Sequence, residues 1–168
     1  AVELHGKPLH ITIEPNTTKV NIYYSTTKEA IALQWLNPQQ TADKKKPFLF
    51  SQGESIWSRT WIPCQDSPAI RFTYNAKVTV PKDLMAVMSA SVNPQKKNDT
   101  GVYTFKQDKA IPSYLMAIAV GDIEFKSIDN RTGVYAEPSL IKKAAWEFAE
   151  LGKMVHAAEK LYGPYRWG

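Results

Sequence analysis

The 168-residue chain contains a single cysteine, Cys64. That excludes an internal disulfide framework and any zinc cluster built on cysteines. Arginine is scarce too: Arg59, Arg71, Arg131 and Arg166 are the whole complement, so lysine supplies 17 of the 21 basic side chains. Nucleic-acid readers lean on Arg for bidentate contacts to phosphates and bases. The lysine runs at 44–46, 96–97 and 142–143 read instead as solvated surface, and no nucleic-acid partner is expected despite a net charge of +5. There are eight glycines, none clustered, which leaves no Gly-rich phosphate loop. The longest near-continuous apolar run, 114–120, is far short of the ~20 residues of a membrane helix, so no membrane span is expected. No basic-then-apolar leader opens the chain, and no secretory signal is expected. The three histidines, His5, His10 and His156, have no metal-ligand spacing, and H-E-x-x-H and G-x-S-x-G are both missing. His5 and His10 would face opposite sides of a straight strand. The three histidines are therefore expected to be surface or half-buried side chains that ligate no metal.

What is present is a globular composition, 43% hydrophobic, 22% charged and 11% aromatic. Residues 9–13 and 19–24 alternate apolar and polar, with a turn at Pro15-Asn16-Thr17, and read as strands. Residues 30–36 are a third apolar stretch and 56–62 are rich in Trp and β-branched residues; further strands are expected at 48–50, 84–90 and 102–105. The cleanest is 71–80, where Phe72, Tyr74, Ala76, Val78 and Val80 share one face and Arg71, Thr73, Asn75, Lys77 and Thr79 the other. Period two over ten residues is the mark of a sheet with one wet face. Residues 113–120 are apolar without alternation and read as a strand buried on both faces. Short strands follow at 125–128 and 133–136.

From 139 to 161 the period becomes helical, with Ile141, Ala144, Ala145, Phe148, Leu151, Val155 and Ala158 on one stripe. Gly163-Pro164 ends it. The pattern is about nine strands and then one helix. A strand pair and one helix cannot bury their own apolar faces. The expected organisation is a mainly β domain over residues 1–121 and the opening of a second domain over 122–168.

Three local features carry possible chemistry. Ser51-Gln52-Gly53-Glu54 follows a Phe-Leu-Phe strand, and its glycine allows close backbone approach. A carboxylate held there could bind a cation. Cys64, flanked by Pro63, reads as a packed structural thiol. The segment 63–68, with two prolines bracketing Asp66, reads as a rigid turn whose Asp accepts backbone N–H bonds. Trp57 and Trp61, four apart on an expected strand, could form the aromatic platform of a non-catalytic β-sandwich binding or adhesion module. Core or interdomain packing is the competing reading of the pair. Asn16, Asn98 and Asn130 head formal glycosylation sequons.

The strings Ala-Leu-Gln-Trp-Leu-Asn-Pro (32–38), Phe-Leu-Phe-Ser-Gln (48–52), Ile-Pro-Cys-Gln-Asp (62–66), Met-Ser-Ala (88–90), Tyr-Leu-Met-Ala (114–117) and Gly-Pro-Tyr-Arg-Trp-Gly (163–168) occur in this order. Together they resemble the leukotriene A-4 hydrolase/aminopeptidase branch of the zinc aminopeptidases, over essentially all of residues 30–168. The resemblance implies a saddle-shaped N-terminal β-domain followed by the first strands and helix of a truncated thermolysin-like α/β domain. It implies an internal piece of a metallopeptidase, inactive alone, with zinc and its H-E-x-x-H ligands beyond Gly168. Gln52-Gly53-Glu54 matches the family's Gln-x-Glu loop, so Glu54 is expected to hold the substrate's α-amino group and Gln52 to line the first side-chain pocket. Vertebrate leukotriene hydrolases carry Gln at the position of Glu54, so Glu54 implies a plain aminopeptidase rather than an epoxide hydrolase. Arg59 reads as an ion-pair partner of Asp66. The implied partners are peptides with free N-termini and the remainder of the chain's own catalytic domain. The implied location is cytoplasmic.

Overall fold

The computed structural model describes residues 6–166. Among the described residues eight strands precede two helices: β1 Leu33–Leu36, β2 Phe48–Ser51, β3 Arg71–Thr79, β4 Met85–Met88, β5 Val102–Pro112, β6 Ile118–Gly121, β7 Glu124–Ser127, β8 Gly133–Ala136, α1 Ile141–Glu147 and α2 Leu151–Tyr162. The molecule is mainly β, with every strand pair antiparallel. A four-stranded sheet runs β1-β2-β6-β4, β3 and β5 form a long hairpin, and β7 and β8 a short one.

The β3 alternation appears in the fold as the sequence reads it. Its residues alternate exposed and half-buried from Arg71 to Thr79 without a break. β5 answers it over 11 residues, with a register shift between Phe72 and Tyr74. The inner face of this hairpin meets the four-stranded sheet. Leu84, Met85, Ala86, Met88, Tyr103, Phe105, Val120 and Ile123 are buried together, with Phe48, Leu49, Tyr74, Ala76 and Val78 packed around them. Met85 is 1% exposed, and burying a side chain of that size contributes about 1.5–3 kcal/mol. Ser89 pins the layers: its carbonyl accepts from the Tyr74 hydroxyl at 2.6 Å and Gln107 Nε2 at 3.2 Å. Its Oγ accepts from the Ala117 amide at 2.8 Å.

Four expectations are corrected. Residues 9–13 and 19–24 form no strand in the structure, although the turn between them is made, with Thr17 N donating to Glu14 O at 3.0 Å. Alternation specifies a face, but a strand also requires a hydrogen-bonded neighbour, and among the described residues none pairs with these two segments. Residues 56–62 are a turn around the 3₁₀ segment Ser58–Thr60, not a strand. The stretch 113–120 begins as a 3₁₀ turn, Ser113–Leu115, before β6 starts at Ile118. The helical stretch 139–161 is two helices. Between them Ala149 and Leu151 bond to carbonyls three residues back, at 3.2 and 3.0 Å, the tightening expected at a helix end. Phe148 at 51% and Ala158 leave the stripe and are exposed, while Ile141 is buried at 8%.

The four-stranded sheet ends at Gly121. Segments on either side of that point are tied together. Lys97 pairs with Asp122, and the Tyr135 hydroxyl donates to Pro94 O at 2.9 Å. Glu137 accepts from the Ala42 and Asp43 amides at 2.8 and 3.1 Å. Among the described residues no helix is long and apolar enough to cross a membrane.

Candidate functional site

β2 carries the chain from Phe48 to Ser51 and releases it into the loop of Gln52, Gly53 and Glu54. The β1–β2 pairing extends one residue into this loop, since Gln52 N donates to Ala32 O at 2.8 Å. Ser51 Oγ accepts from the Ile118 amide at 2.9 Å, tying the same strand end to β6. The loop therefore starts from a fixed sheet edge.

Gly53 is buried, and a side chain has no room there. A Cβ would lie 2.5 Å from Ser58 Oγ, 3.1 Å from Tyr114 Cα and 3.2 Å from Tyr114 O. Any residue larger than glycine would force the loop off its floor. The Gly53 carbonyl accepts from Trp57 N at 2.9 Å, closing a five-residue turn from Gly53 to Trp57. The Glu54–Ser55 peptide bond is cis.

The structure brings Gln52 and Glu54 together through one contact: Glu54 N donates to Gln52 Oε1 at 3.0 Å. The Gln52 carbonyl oxygen is thereby used to hold the loop, which leaves its Nε2 as the group that faces outward chemistry as a donor. Glu54 is exposed, and among the described residues its side chain makes no hydrogen bond or ion pair. A carboxylate without an internal partner, on a backbone held at several points, is prepared to accept from a cationic donor.

Beneath Gly53 lies a buried polar chain that sequence reasoning missed in part. Ser58, 0% exposed, donates to Ser113 O at 2.9 Å. Ser113, 1% exposed, donates to Asp66 Oδ1 at 2.5 Å. Asp66 Oδ2 accepts from Arg59 N at 3.0 Å and Arg59 Nε at 3.2 Å, and Asp66 O accepts from Arg59 Nη2 at 2.9 Å. The Arg59–Asp66 pair and the structural turn at 63–68 were legible in the sequence. The two serines were not, because isolated serines 55 residues apart carry no spacing signal.

Cys64 sits half-buried beside this network. Burial, then the Asp66 carboxylate, push its thiol up to about 11, against the pull of Arg59. It is a poor nucleophile at neutral pH. Trp57 and Trp61 are half-buried on the 3₁₀ turn, not paired on a strand face, and the Trp61 indole nitrogen is buried. Asn98 Oδ1 accepts from Thr100 N at 3.0 Å, Thr100 Oγ1 at 2.7 Å and Gly101 N at 2.8 Å, and its Nδ2 donates to Val102 O at 2.9 Å. The Asn98 amide thus holds its own loop at both its oxygen and its nitrogen. His10 and His156 are exposed, and His5 lies outside the described residues. Among the described residues no group of three or more His, Cys, Asp or Glu side chains could hold a metal ion, so they do not fit a zinc centre.

The fold is that of the N-terminal β-domain of a class of peptidases. Residues 3–115 match the family described as Peptidase M1 N-terminal domain, and the chain belongs to the M1 zinc aminopeptidase family. It is 44% identical to a leukotriene A-4 hydrolase of Xenopus laevis, over 97% of this chain and 28% of that protein. It is 39% identical to a leucine aminopeptidase 2 of Pyricularia oryzae, again over 97% of this chain and 28% of the relative. Among solved structures it superposes on yeast LTA4 hydrolase with a TM-score of 0.76 and 40% identity, covering 85% of this chain and 22% of that one. The chain thus spans about a quarter of the length of the curated relatives it matches.

Proposed function

We propose that this chain is the substrate-anchoring N-terminal portion of a zinc aminopeptidase that removes N-terminal residues from peptides. The observation that carries the reading is Glu54, an exposed carboxylate with no partner among the described residues, on a loop fixed by Gln52, Gly53 and the floor beneath them. A free peptide N-terminus has a pKa near ~8 and is largely cationic at neutral pH. Glu54 gives that ammonium group a charge-assisted acceptor, and Gln52 Nε2 lies beside it as a donor. An internal peptide bond offers no ammonium, so the contact measures one residue from the chain end and limits cleavage to that residue. Holding the N-terminus also fixes the position of the first carbonyl.

The β-domain comprises residues 1–121 and residues 122–168 open the catalytic domain. Zinc, which would supply the activated water when bound, is held by residues outside those described. The 168-residue chain alone is inactive, its partners are peptides with free N-termini and the rest of its own catalytic domain, and it works in the cytoplasm. Glu54 in place of Gln favours peptide hydrolysis over epoxide hydrolysis.

The test is steady-state kinetics of the complete gene product on leucine p-nitroanilide. Glu54→Ala is expected to lower kcat/KM about 10- to 100-fold, the range for losing a hydrogen bond to a charged group. Unchanged kcat/KM would overturn the anchor role.

A further inference from the structure

We infer that Ser58, Ser113 and Asp66 are positioning residues for the anchor loop: a buried relay that sets the height and tilt of Glu54 without touching substrate. The inference rests on the anchor reading of Glu54 and goes one layer beneath it.

The relay has a fixed direction. Ionised Asp66 is acceptor-only, and its side chain is 1% exposed. One oxygen is taken by two donors of Arg59, so the other is left for the Ser113 hydroxyl, which must donate. Ser113 is thereby oriented, and its carbonyl receives the Ser58 hydroxyl. The Ser58 oxygen then lies directly under Gly53, where a Cβ would meet it at 2.5 Å. Gly53 joins the residue that caps the Glu54 amide to Glu54 itself. The two serine links, Ser58 to Ser113 and Ser113 to Asp66, are buried, so neither can be replaced by water without a shift.

Removing the Ser58 hydroxyl leaves a space of one oxygen beneath Gly53 and strips the Ser113 carbonyl of its donor. The loop can then sink, and Glu54 moves with it. Removing the Ser113 hydroxyl frees one oxygen of Asp66 and uncouples the serines from Arg59. In both cases substrate contacts made elsewhere in the site are untouched. The signature is therefore a selective loss of affinity for a free amine.

The experiment uses the complete gene product and two competitors of leucine p-nitroanilide hydrolysis, leucinamide and N-acetyl-leucinamide. The quantity read is the ratio of their inhibition constants. Ser58→Ala and Ser113→Ala are each expected to lower the preference for the free amine about 3- to 10-fold, with N-acetyl-leucinamide unchanged within about twofold. Glu54→Gln is expected to abolish the preference. If Glu54→Gln abolishes it while both serine variants keep the wild-type ratio, the positioning role is wrong and the anchor stands. If Glu54→Gln keeps the ratio, the anchor reading fails and the positioning role falls with it. If the serine variants weaken both competitors equally, the relay is merely structural and the inference is overturned. Asp66→Asn is a third probe where it folds. The serine variants, which remove one oxygen each, keep the test open where it does not.

Discussion

Replacing Asp66 with alanine tests the buried network by its cost to folding. The carboxylate is 1% exposed and accepts from three donors: the Ser113 hydroxyl, the Arg59 amide and Arg59 Nε. The Arg59 side chain is 28% exposed and can turn toward water. The Ser113 hydroxyl, on a residue 1% exposed, cannot, and the part-buried Arg59 amide is poorly placed to do so. The freed guanidinium reaches water and leaves no buried charge. The two orphaned donors cost about 1–3 kcal/mol each, so the expected loss is about 2–6 kcal/mol, a large share of a total stability of about 5–15 kcal/mol. Ser113→Ala removes only one of the three donors and should cost about 1–2 kcal/mol. The assay is urea unfolding followed by tryptophan fluorescence, since Trp57 and Trp61 flank Arg59. With a slope of about 2 kcal/mol/M, the Asp66→Ala midpoint should fall by roughly 1–3 M. A fall below about 0.5 M with an unchanged slope would refute the network as a structural element.

Other consequences are separately measurable. Cys64, with its thiol pushed up to about 11, should react with iodoacetamide at pH 8 at least about tenfold more slowly than a free thiol, with the rate rising toward pH 11; reaction at the free-thiol rate would contradict its burial. Glu159 is pulled down to about 2, chiefly by the hydrogen bonds from Arg131, then by the Tyr165 amide. Its folded value lies below its ordinary ~4.3, so its contribution is present above that value and lost as pH falls toward 2. Arg131→Ala should raise the Glu159 midpoint, read from its carboxyl carbon shift by NMR, and an unmoved midpoint would contradict the pairing. Glu137→Gln sets an amide donor against a backbone N–H at Ala42 or Asp43 and should speed hydrogen exchange at one or both of these amides at least about tenfold; unchanged protection would remove the clamp.

The parts of the fold that were legible in sequence are those whose signal is local. β3 declares its two faces by strict alternation, and its burial follows residue by residue. The strands around Met85 and Val120 are apolar because they are enclosed. Segments 9–13 and 19–24 carry the same alternation and stay unpaired among the described residues, because period two encodes a face and says nothing of a neighbour. The stretch 56–62 has strand composition, but Gly53 and Ser58 turn the chain before it can extend. The helical stripe runs through Phe148 without a phase change, so the period alone could not show the break before Leu151. At the candidate site, the family resemblance carried Gln52, Glu54 and the pairing of Arg59 with Asp66, and the two prolines bracketing Asp66 carried the turn. Ser58 and Ser113 have no such mark, since their role depends on two loops meeting under Gly53.

The most direct measurement is a crystal structure of the complete gene product with a peptide amide bearing a free N-terminus. The account predicts the terminal nitrogen within about 2.7–3.2 Å of a Glu54 carboxylate oxygen. A terminal nitrogen more than about 4 Å from Glu54, held by other residues, would contradict it.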